Sequence, residues 1–385
     1  FAIVIGTSDY ASDDLDLTYA AKDAQDFAAA LRVSSANLIG GNNITMSVLT
    51  TNQPQENWPS KENIKKVFEK YSLEAKARDY LVVYMAGHGV NSGGENGDFY
   101  YLTCTAKEGK VTDEKIRTND AISSTEFTEY IKKVPALKQV MIVDACHSGT
   151  LTSAFGKNEP SKLMDSEELR AFERMKDRTG LFLLAGSAAD AVSYETTLYG
   201  QGLLTYALLF GMKGAALRDG EFIDVLGLFQ FAAKKVPQLA EDIGGIQRPE
   251  VRVPSDVASF DIGKMNDVSK QEIKLLSPKP VFVQTIFQNE TEYLDDAEIG
   301  LLLDERLATL SKAQNAPLVF MSENKFGGAM QVRGRYSQKG GLLIVDVKVF
   351  QDNVKVLEFK TDGISSGSIA DRISARLQKF IVEKK

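Results

Sequence analysis

The sequence predicts an α/β fold: an open, mostly parallel sheet flanked by helices, followed by a small α+β domain. Three observations carry this. Short apolar runs rich in β-branched residues recur through residues 1–187, helical periodicities fill the gaps between them, and after residue 280 the pattern changes to hairpin-like strands. Continuous apolar runs of this length are those of strands buried on both faces. Strand alternating with helix builds a layered parallel sheet.

The strands read in order as FAIVIG (1–6), ITMSVLT (44–50), DYLVVYMAG (79–87), KQVMIVDA (138–145) and GLFLLAGS (180–187). The first helix lies in 17–32, where Ala20, Ala24, Phe27, Ala28 and Leu31 make one apolar stripe. A second spans 60–71, with Ser60 as N-cap and Glu62 in the first turn. Further helices are read at 124–134, 203–214 (ending at Gly214) and 222–236. Residues 150–179 break the alternation with a long polar and charged insertion, and long loops of this kind are often functional. A polar stretch containing Pro278 reads as a linker. The chain therefore divides into domain 1–263, linker 264–279 and an accessory domain 280–385. The last contains a strand at 281–287, a helix at 297–313, strands through 330–363 separated by the turns SQKGG and QDN, and a closing helix at 368–384.

Bulk properties exclude several functions. With 385 residues, 43% of them hydrophobic, the chain can bury a core. A net charge of −7 with no basic patch argues against a nucleic-acid partner. No apolar run reaches the ~18 residues a membrane span needs. Two cysteines, Cys104 and Cys146, make no disulfide framework, and with two histidines they show no metal-ligand spacing. The chain opens inside an apolar stretch without an initiator Met, which reads as a strand of a trimmed or processed chain. Compartment, cytoplasm or bacterial envelope, stays open, as does oligomeric state.

The chemistry centres on two strand ends. Cys146 ends one apolar run, in VDACHSG, and His88 follows another, in YMAGHG. In open α/β sheets reactive groups gather beyond the carboxyl ends of strands. Only the thiolate of a cysteine attacks, so a nucleophile needs an imidazole that takes its proton and later protonates the leaving amine. His147 is adjacent to Cys146, and neighbouring side chains on a strand point to opposite sides. His88 is the better partner. Glycines flank His88, and the N–H groups of Gly89 and Cys146 are the oxyanion-hole candidates. Cys104, in FYYLTCTA, lacks such a setting and reads as packing.

These residues resemble a known family. YMAGHG with VDACHSG is similar to the His and Cys motifs of caspase-like cysteine peptidases, nearest to the metacaspases and bacterial orthocaspases, over roughly residues 1–262. IGTSDYASDDLDLTYAAKDAQDF, GQGLLTYALLFGMKG and RPEVRVPSDVASFDIG resemble the family's first strand and helix, its late helix and its closing strands. The resemblance implies a caspase-fold sheet and cleavage of peptide bonds by Cys146 with His88, with no cofactor. Metacaspase-type members cut after Arg or Lys and hold that side chain with carboxylates. Asp144, two residues before Cys146, and Asp23, which matches the acidic residue of the first helix, fit that role. Carboxylates suit a guanidinium or an ammonium. Ser187 and Asp190 fall where the resemblance places a substrate-binding loop, with Asp190 one residue from the expected acidic position.

Many metacaspases need calcium. The position seven residues after the cysteine is Ser153 here rather than aspartate, and Asp120 alone does not complete a site, so no calcium dependence and no metal are expected. The insertion carries Lys157, Lys162, Arg170, Arg174, Lys176 and Arg178, where a protease of this preference could cut itself. VRGRYSQKGGLLIVDVKVF resembles small α+β modules of bacterial envelope proteins, such as the N-terminal domain of TolB, and suggests a binding or positioning module. The expected partners are protein or peptide substrates with Arg or Lys before the scissile bond. Two other readings fit the residues: a catalytically silent scaffold, and a thiol hydrolase acting on non-peptide acyl groups.

Overall fold

The computed structural model describes residues 1–92, 98–109, 114–147, 166–179, 181–187, 198–241, 247–254, 257–275, 278–313, 316–322 and 328–383. They form two compact units, one of Phe1–Thr196 with Gln201–Leu276, the other of Thr197–Gly200 with Ser277–Lys385. Among the described residues no helix is long and apolar enough to cross a membrane.

The strands of the first unit are β1 (Ala2–Gly6), β2 (Met46–Thr50), β3 (Tyr80–Ser92), β4 (Asp98–Leu102), β5 (Ala121–Ser123), β6 (Lys138–His147), β7 (Phe182–Ser187), β8 (Phe222–Asp224), β9 (Glu250–Arg252) and β10 (Asp261–Lys264). The main sheet runs β2-β1-β3-β6-β7-β9, with β4 beside β3 and β5 beside β4. The first five of that order are mutually parallel, and β9 closes the edge antiparallel to β7. This is the mostly parallel sheet the apolar runs predict. β8 and β10 make a separate antiparallel pair.

The helices are α1 (Ala20–Ile39), α2 (Lys61–Glu74), α3 (Glu114–Asn119), α4 (Ser124–Lys133), α5 (Ser166–Thr179), α6 (Leu203–Phe210), α7 (Val225–Glu241) and α8 (Asp267–Glu272). Ser60 caps α2 by accepting from the Asn63 N–H at 3.2 Å, as its sequence suggests. α1 lies directly on β1 and β3. A Cβ at Gly6 would stand 2.6 Å from the Ala20 carbonyl oxygen and from the Ala24 Cβ, so only glycine lets the helix approach this closely. Phe27 stacks on Tyr84 of β3 with centroids 4.5 Å apart, a contact worth about 1 kcal/mol beyond area burial. The opposite face of the sheet buries Phe68, Tyr71, Phe127, Phe172 and Met175.

Several elements differ from the sequence reading. β3 does not end at Gly87 but runs to Ser92, because from Gly89 onward it pairs with β4. The insertion is not wholly loop: its second half is α5, docked through Ala171, Phe172 and Met175. The stretch at 222–236 begins as the short strand β8, and the helix α7 passes Pro237 because Leu239 and Ala240 remain buried beyond it. The stretch read as linker contains α8, capped by reciprocal bonds between Asn266 and Ser269.

In the second unit β11 (Val281–Asn289), β12 (Val319–Met321), β13 (Met330–Lys339), β14 (Leu342–Gln351) and β15 (Val354–Gly363) form a sheet in the order β12-β11-β13-β14-β15. β13–β14 and β14–β15 are the predicted hairpins, turning on Gly340–Gly341 and Asp352–Asn353, all at positive φ. α9 (Ile299–Lys312) and α10 (Ser366–Glu383) cover one face over a core that includes Phe282, Leu303, Val347, Ile373 and Leu377.

Candidate active site

The parallel register of β3 and β6 sets Ala86 beside Asp144, His88 beside Cys146, and Gly89 beside His147. Neighbouring strands lie about 4.8 Å apart, so the backbones of His88 and Cys146 are immediate neighbours at the carboxyl end of the sheet. Positions 84, 86 and 88 of β3 and 142 and 144 of β6 fall on one face of the pleat. That face is the one covered by α1 and α6.

His88 is half-buried and fixed on three sides. Its backbone N–H donates to Tyr10 Oη at 2.9 Å, and the two rings lie 5.2 Å apart. Its Nε2 is 2.8 Å from the Leu15 carbonyl oxygen. A carbonyl only accepts, so Nε2 carries the proton and Nδ1 presents its lone pair. Nδ1 is buried and has no hydrogen-bond partner among the described residues. Burial lowers the His88 pKa below the ordinary value, and the bond to Leu15 offsets part of that shift. The ring is therefore neutral at neutral pH.

The strand beneath it is clamped. Tyr101 Oη donates to the Ala86 carbonyl at 2.9 Å and pairs with Thr7 Oγ1 at 2.8 Å, while the Thr7 N–H reaches the same carbonyl at 3.0 Å. A Cβ at Gly87 would stand 2.9 Å from Tyr101 Oη and 3.0 Å from Tyr10 Oη. Gly89 pairs with Tyr101 on one side and His147 on the other. A Cβ there would stand 2.3 Å from the Phe99 ring. Packing against Phe99 thus explains this glycine independently of any oxyanion role.

Two carboxylates meet beside the strand ends. Asp23, in the first turn of α1, is 3% exposed. Its Oδ2 accepts the Gly202 N–H at 2.8 Å, and its Oδ1 is buried with no partner among the described residues. Asp144 Oδ2 accepts from Thr205 Oγ1 at 2.7 Å, and Thr205 in turn lies 2.6 Å from Tyr84 Oη. Both carboxylates close on Gly202: a Cβ there would stand 2.9 Å from Asp23 Oδ2 and 3.2 Å from Asp144 Oδ2. Burial first, and then the Asp144 charge, raises the Asp23 pKa well above its ordinary value. Burial also raises that of Asp144, against the Thr205 bond. Buried like charges destabilise one another's ionised forms, and a cation between them relieves that strain. Nearby Gln201 is fully buried and its Nε2 donates to Asp26 at 2.8 Å, while its Oε1 has no partner among the described residues.

The structure thus brings His88, Cys146 and Gly89 to one strand end and sets Asp23 and Asp144 around Gly202. Ser187 is the last residue of β7, in register with Ala145. Asp190, Ser153, Lys157 and Lys162 lie outside the described residues. Asp120 Oδ1 accepts from Thr105 Oγ1 at 2.7 Å, and among the described residues no group of three or more His, Cys, Asp or Glu is arranged to hold a metal. Burial pushes the Cys104 thiol up to about 11, so it stays protonated and inert, in keeping with packing.

Tyr10, Leu15, Gly202 and Thr205 were not singled out from sequence. Thr205 had a signal, a hydroxyl inside the otherwise apolar LLTYALLF. The Leu15 contribution is a main-chain carbonyl, which no side-chain pattern reveals.

Comparisons with known proteins identify the family. The sequence model of the caspase domain, a peptidase family, matches residues 1–257. Metacaspase-2 of Arabidopsis thaliana is 36% identical over 190 residues, 44% of this chain and 42% of the relative. The chain thus spans less than half the length of that curated relative. Among solved structures, a protein of Geobacter sulfurreducens aligns over 72% of this chain and 99% of its own at 13% identity and a TM-score of 0.41, which is too distant to bear on the assignment. The match over residues 1–257, well beyond half of the chain, together with the metacaspase similarity, places this chain in the caspase-domain family of peptidases.

Proposed function

We propose that the chain is a cysteine endopeptidase that cleaves after Arg or Lys. The observation that carries the proposal is the in-register pairing of His88 with Cys146 beside two carboxylates, buried Asp23 and half-buried Asp144. His88 Nδ1, held as an acceptor by the Leu15 bond at Nε2, takes the Cys146 thiol proton. The thiolate attacks the scissile carbonyl carbon. The oxyanion that develops is assigned to the amides of Gly89 and Cys146. His88 returns the proton to the leaving amine, and the acyl-enzyme forms. Water then attacks the thioester, giving its proton to His88, and the thiolate leaves. No cofactor enters these steps.

The basic side chain enters between Asp23 and Asp144. The unpartnered Asp23 Oδ1 and the raised carboxyl pKa values support this, because a guanidinium or ammonium supplies both the missing donor and the missing charge. Self-processing in 150–179 belongs to the same proposal. A protease holds its substrate extended, and Arg170, Arg174, Lys176 and Arg178 lie in α5, which favours cutting after Lys157 or Lys162. Short fluorogenic Arg, Lys and Asp peptides test the proposal. Turnover of the Arg and Lys peptides, lost in Cys146→Ala, is expected. Turnover of the Asp peptide alone refutes the pocket, and failure of Cys146 to react with a thiol probe refutes the mechanism.

A further inference from the structure

We infer that Asp16 is a positioning residue for His88, holding the loop of residues 7–17 in the shape that presents the Leu15 carbonyl and Tyr10 Oη to the imidazole. The inference rests on the proposed role of His88. The loop enters from β1 and leaves into α1, and its only regular piece is the 3₁₀ turn Asp13–Leu15. Its base is pinned to three elements. The Thr7 N–H donates to the Ala86 carbonyl of β3 at 3.0 Å. The Ser8 and Asp9 N–H groups donate to Thr51 Oγ1, just beyond β2, at 3.0 and 3.1 Å. The Ala21 N–H, in the first turn of α1, donates to Ser8 Oγ at 3.0 Å.

Two rungs then close the neck of the loop. One is main chain, from the Leu17 N–H to the Ser8 carbonyl at 2.8 Å. The other is the Asp16 side chain, whose Oδ1 accepts the Tyr10 N–H at 2.8 Å. Residues 10 and 15, which touch His88, sit at and just inside this second rung. Tyr10 and Leu15 are both buried in a small cluster with Val90 and Leu102, so the rung also sets how the loop packs on β3 and β4. Asp16 is itself exposed. Its carboxylate therefore bears no core load, and what it supplies is an acceptor at a fixed place. Asparagine supplies the same acceptor. Alanine supplies none.

The consequence falls on the imidazole tautomer. A neutral histidine can carry its proton on either nitrogen, and the bond made by one nitrogen decides which. With the rung open, the Leu15 carbonyl is no longer fixed at Nε2 and the Nδ1–H form competes. An Nδ1–H ring cannot accept the thiol proton. The chain has two histidines, so ¹⁵N-histidine NMR reads the His88 ring directly, and in a Cys146→Ala background it does so without any turnover. A single Nε2–H tautomer is expected for the parent and for Asp16→Asn, and a mixed or Nδ1–H signal for Asp16→Ala. In the Cys146 enzyme, Asp16→Ala is expected to lower kcat about 10-fold or more with KM within two-fold, and Asp16→Asn to stay within two-fold of the parent. Asp16→Glu, which keeps the charge and displaces the acceptor, is expected to follow alanine. If Asp16→Ala retains one Nε2–H tautomer and parental kcat, or if asparagine fails as alanine does, the inference is overturned. If the ring signals respond as expected while the parent cleaves neither Arg nor Lys peptides, the positioning role stands and the peptidase proposal falls.

Discussion

Replacing Asp23 by Asn separates what the carboxylate does for stability from what it does for substrate. Asparagine keeps an oxygen for the Gly202 N–H, which now reaches Asp23 Oδ2 at 2.8 Å. It removes a buried ionisable carboxyl whose second oxygen has no partner among the described residues. Such an atom costs about 1–3 kcal/mol, so the variant should be more stable by about that amount at neutral pH, or roughly 2–4 °C in Tm per kcal/mol. The gain depends on pH. Below the ordinary aspartate value of 3.8 the folded and unfolded chains both hold the proton, and no penalty exists. As pH rises past that value the unfolded chain ionises while the native carboxyl, with its raised pKa, does not. The native state then holds the extra proton and parental stability falls. The Tm advantage of Asp23→Asn should thus be absent near pH 3.5, grow as pH rises through the raised native pKa, and level off above it. Catalysis should move the other way. A hydrogen bond to a charged partner is worth about 1.5–3 kcal/mol, so kcat/KM on an Arg peptide should fall about 10- to 150-fold. Melting curves across pH and initial rates on one peptide are sufficient. Parental kcat/KM within two-fold, or a lower Tm at pH 8, would refute the reasoning.

Three further outcomes follow from the same geometry. Cys146→Ala and His88→Ala should each reduce peptide hydrolysis to background; retained hydrolysis in either variant excludes the dyad. Gly89→Ala places a methyl 2.3 Å from the Phe99 ring and should destabilise by about 1–3 kcal/mol; Gly89→Ala with Phe99→Leu should recover most of that loss, as chemical denaturation will show. Peptide hydrolysis should be equal in EGTA and in millimolar calcium, and a calcium-dependent rate would mean that residues outside the described set assemble a metal site.

Much of the fold was legible because buried parallel strands are written as continuous apolar runs. β1, β6 and β7 fall where those runs lie. The strands that were missed in this unit are short or amphipathic: β4, β5 and β8 offer three to five residues each, too few for a period to emerge, whereas β9 and β10 fall in the segment that the family resemblance reads as closing strands. β3 was cut short because glycines at 87 and 89 read as a strand end. Here they are demanded by the Tyr101 and Phe99 side chains while the strand continues. α5 was hidden by its composition: a helix with few apolar residues among many charges resembles a solvated loop until Phe172 finds Phe99, at a centroid distance of 5.0 Å. Within the candidate site, residue type and motif direct attention to His88, Cys146, Asp23 and Asp144. The parts supplied by main chain and long-range packing, the Leu15 carbonyl and the Tyr10 contact, were not legible.

The central claim is that Cys146, activated by His88, cleaves chains after Arg and Lys. The most direct test is a proteome-derived peptide library cut by the full chain, read by mass spectrometry against the Cys146→Ala form. The account predicts new termini preceded by Arg or Lys, absent from the Cys146→Ala digest, together with self-cleavage after Lys157 or Lys162. New termini preceded by Asp, or equal cutting by both forms, would contradict it.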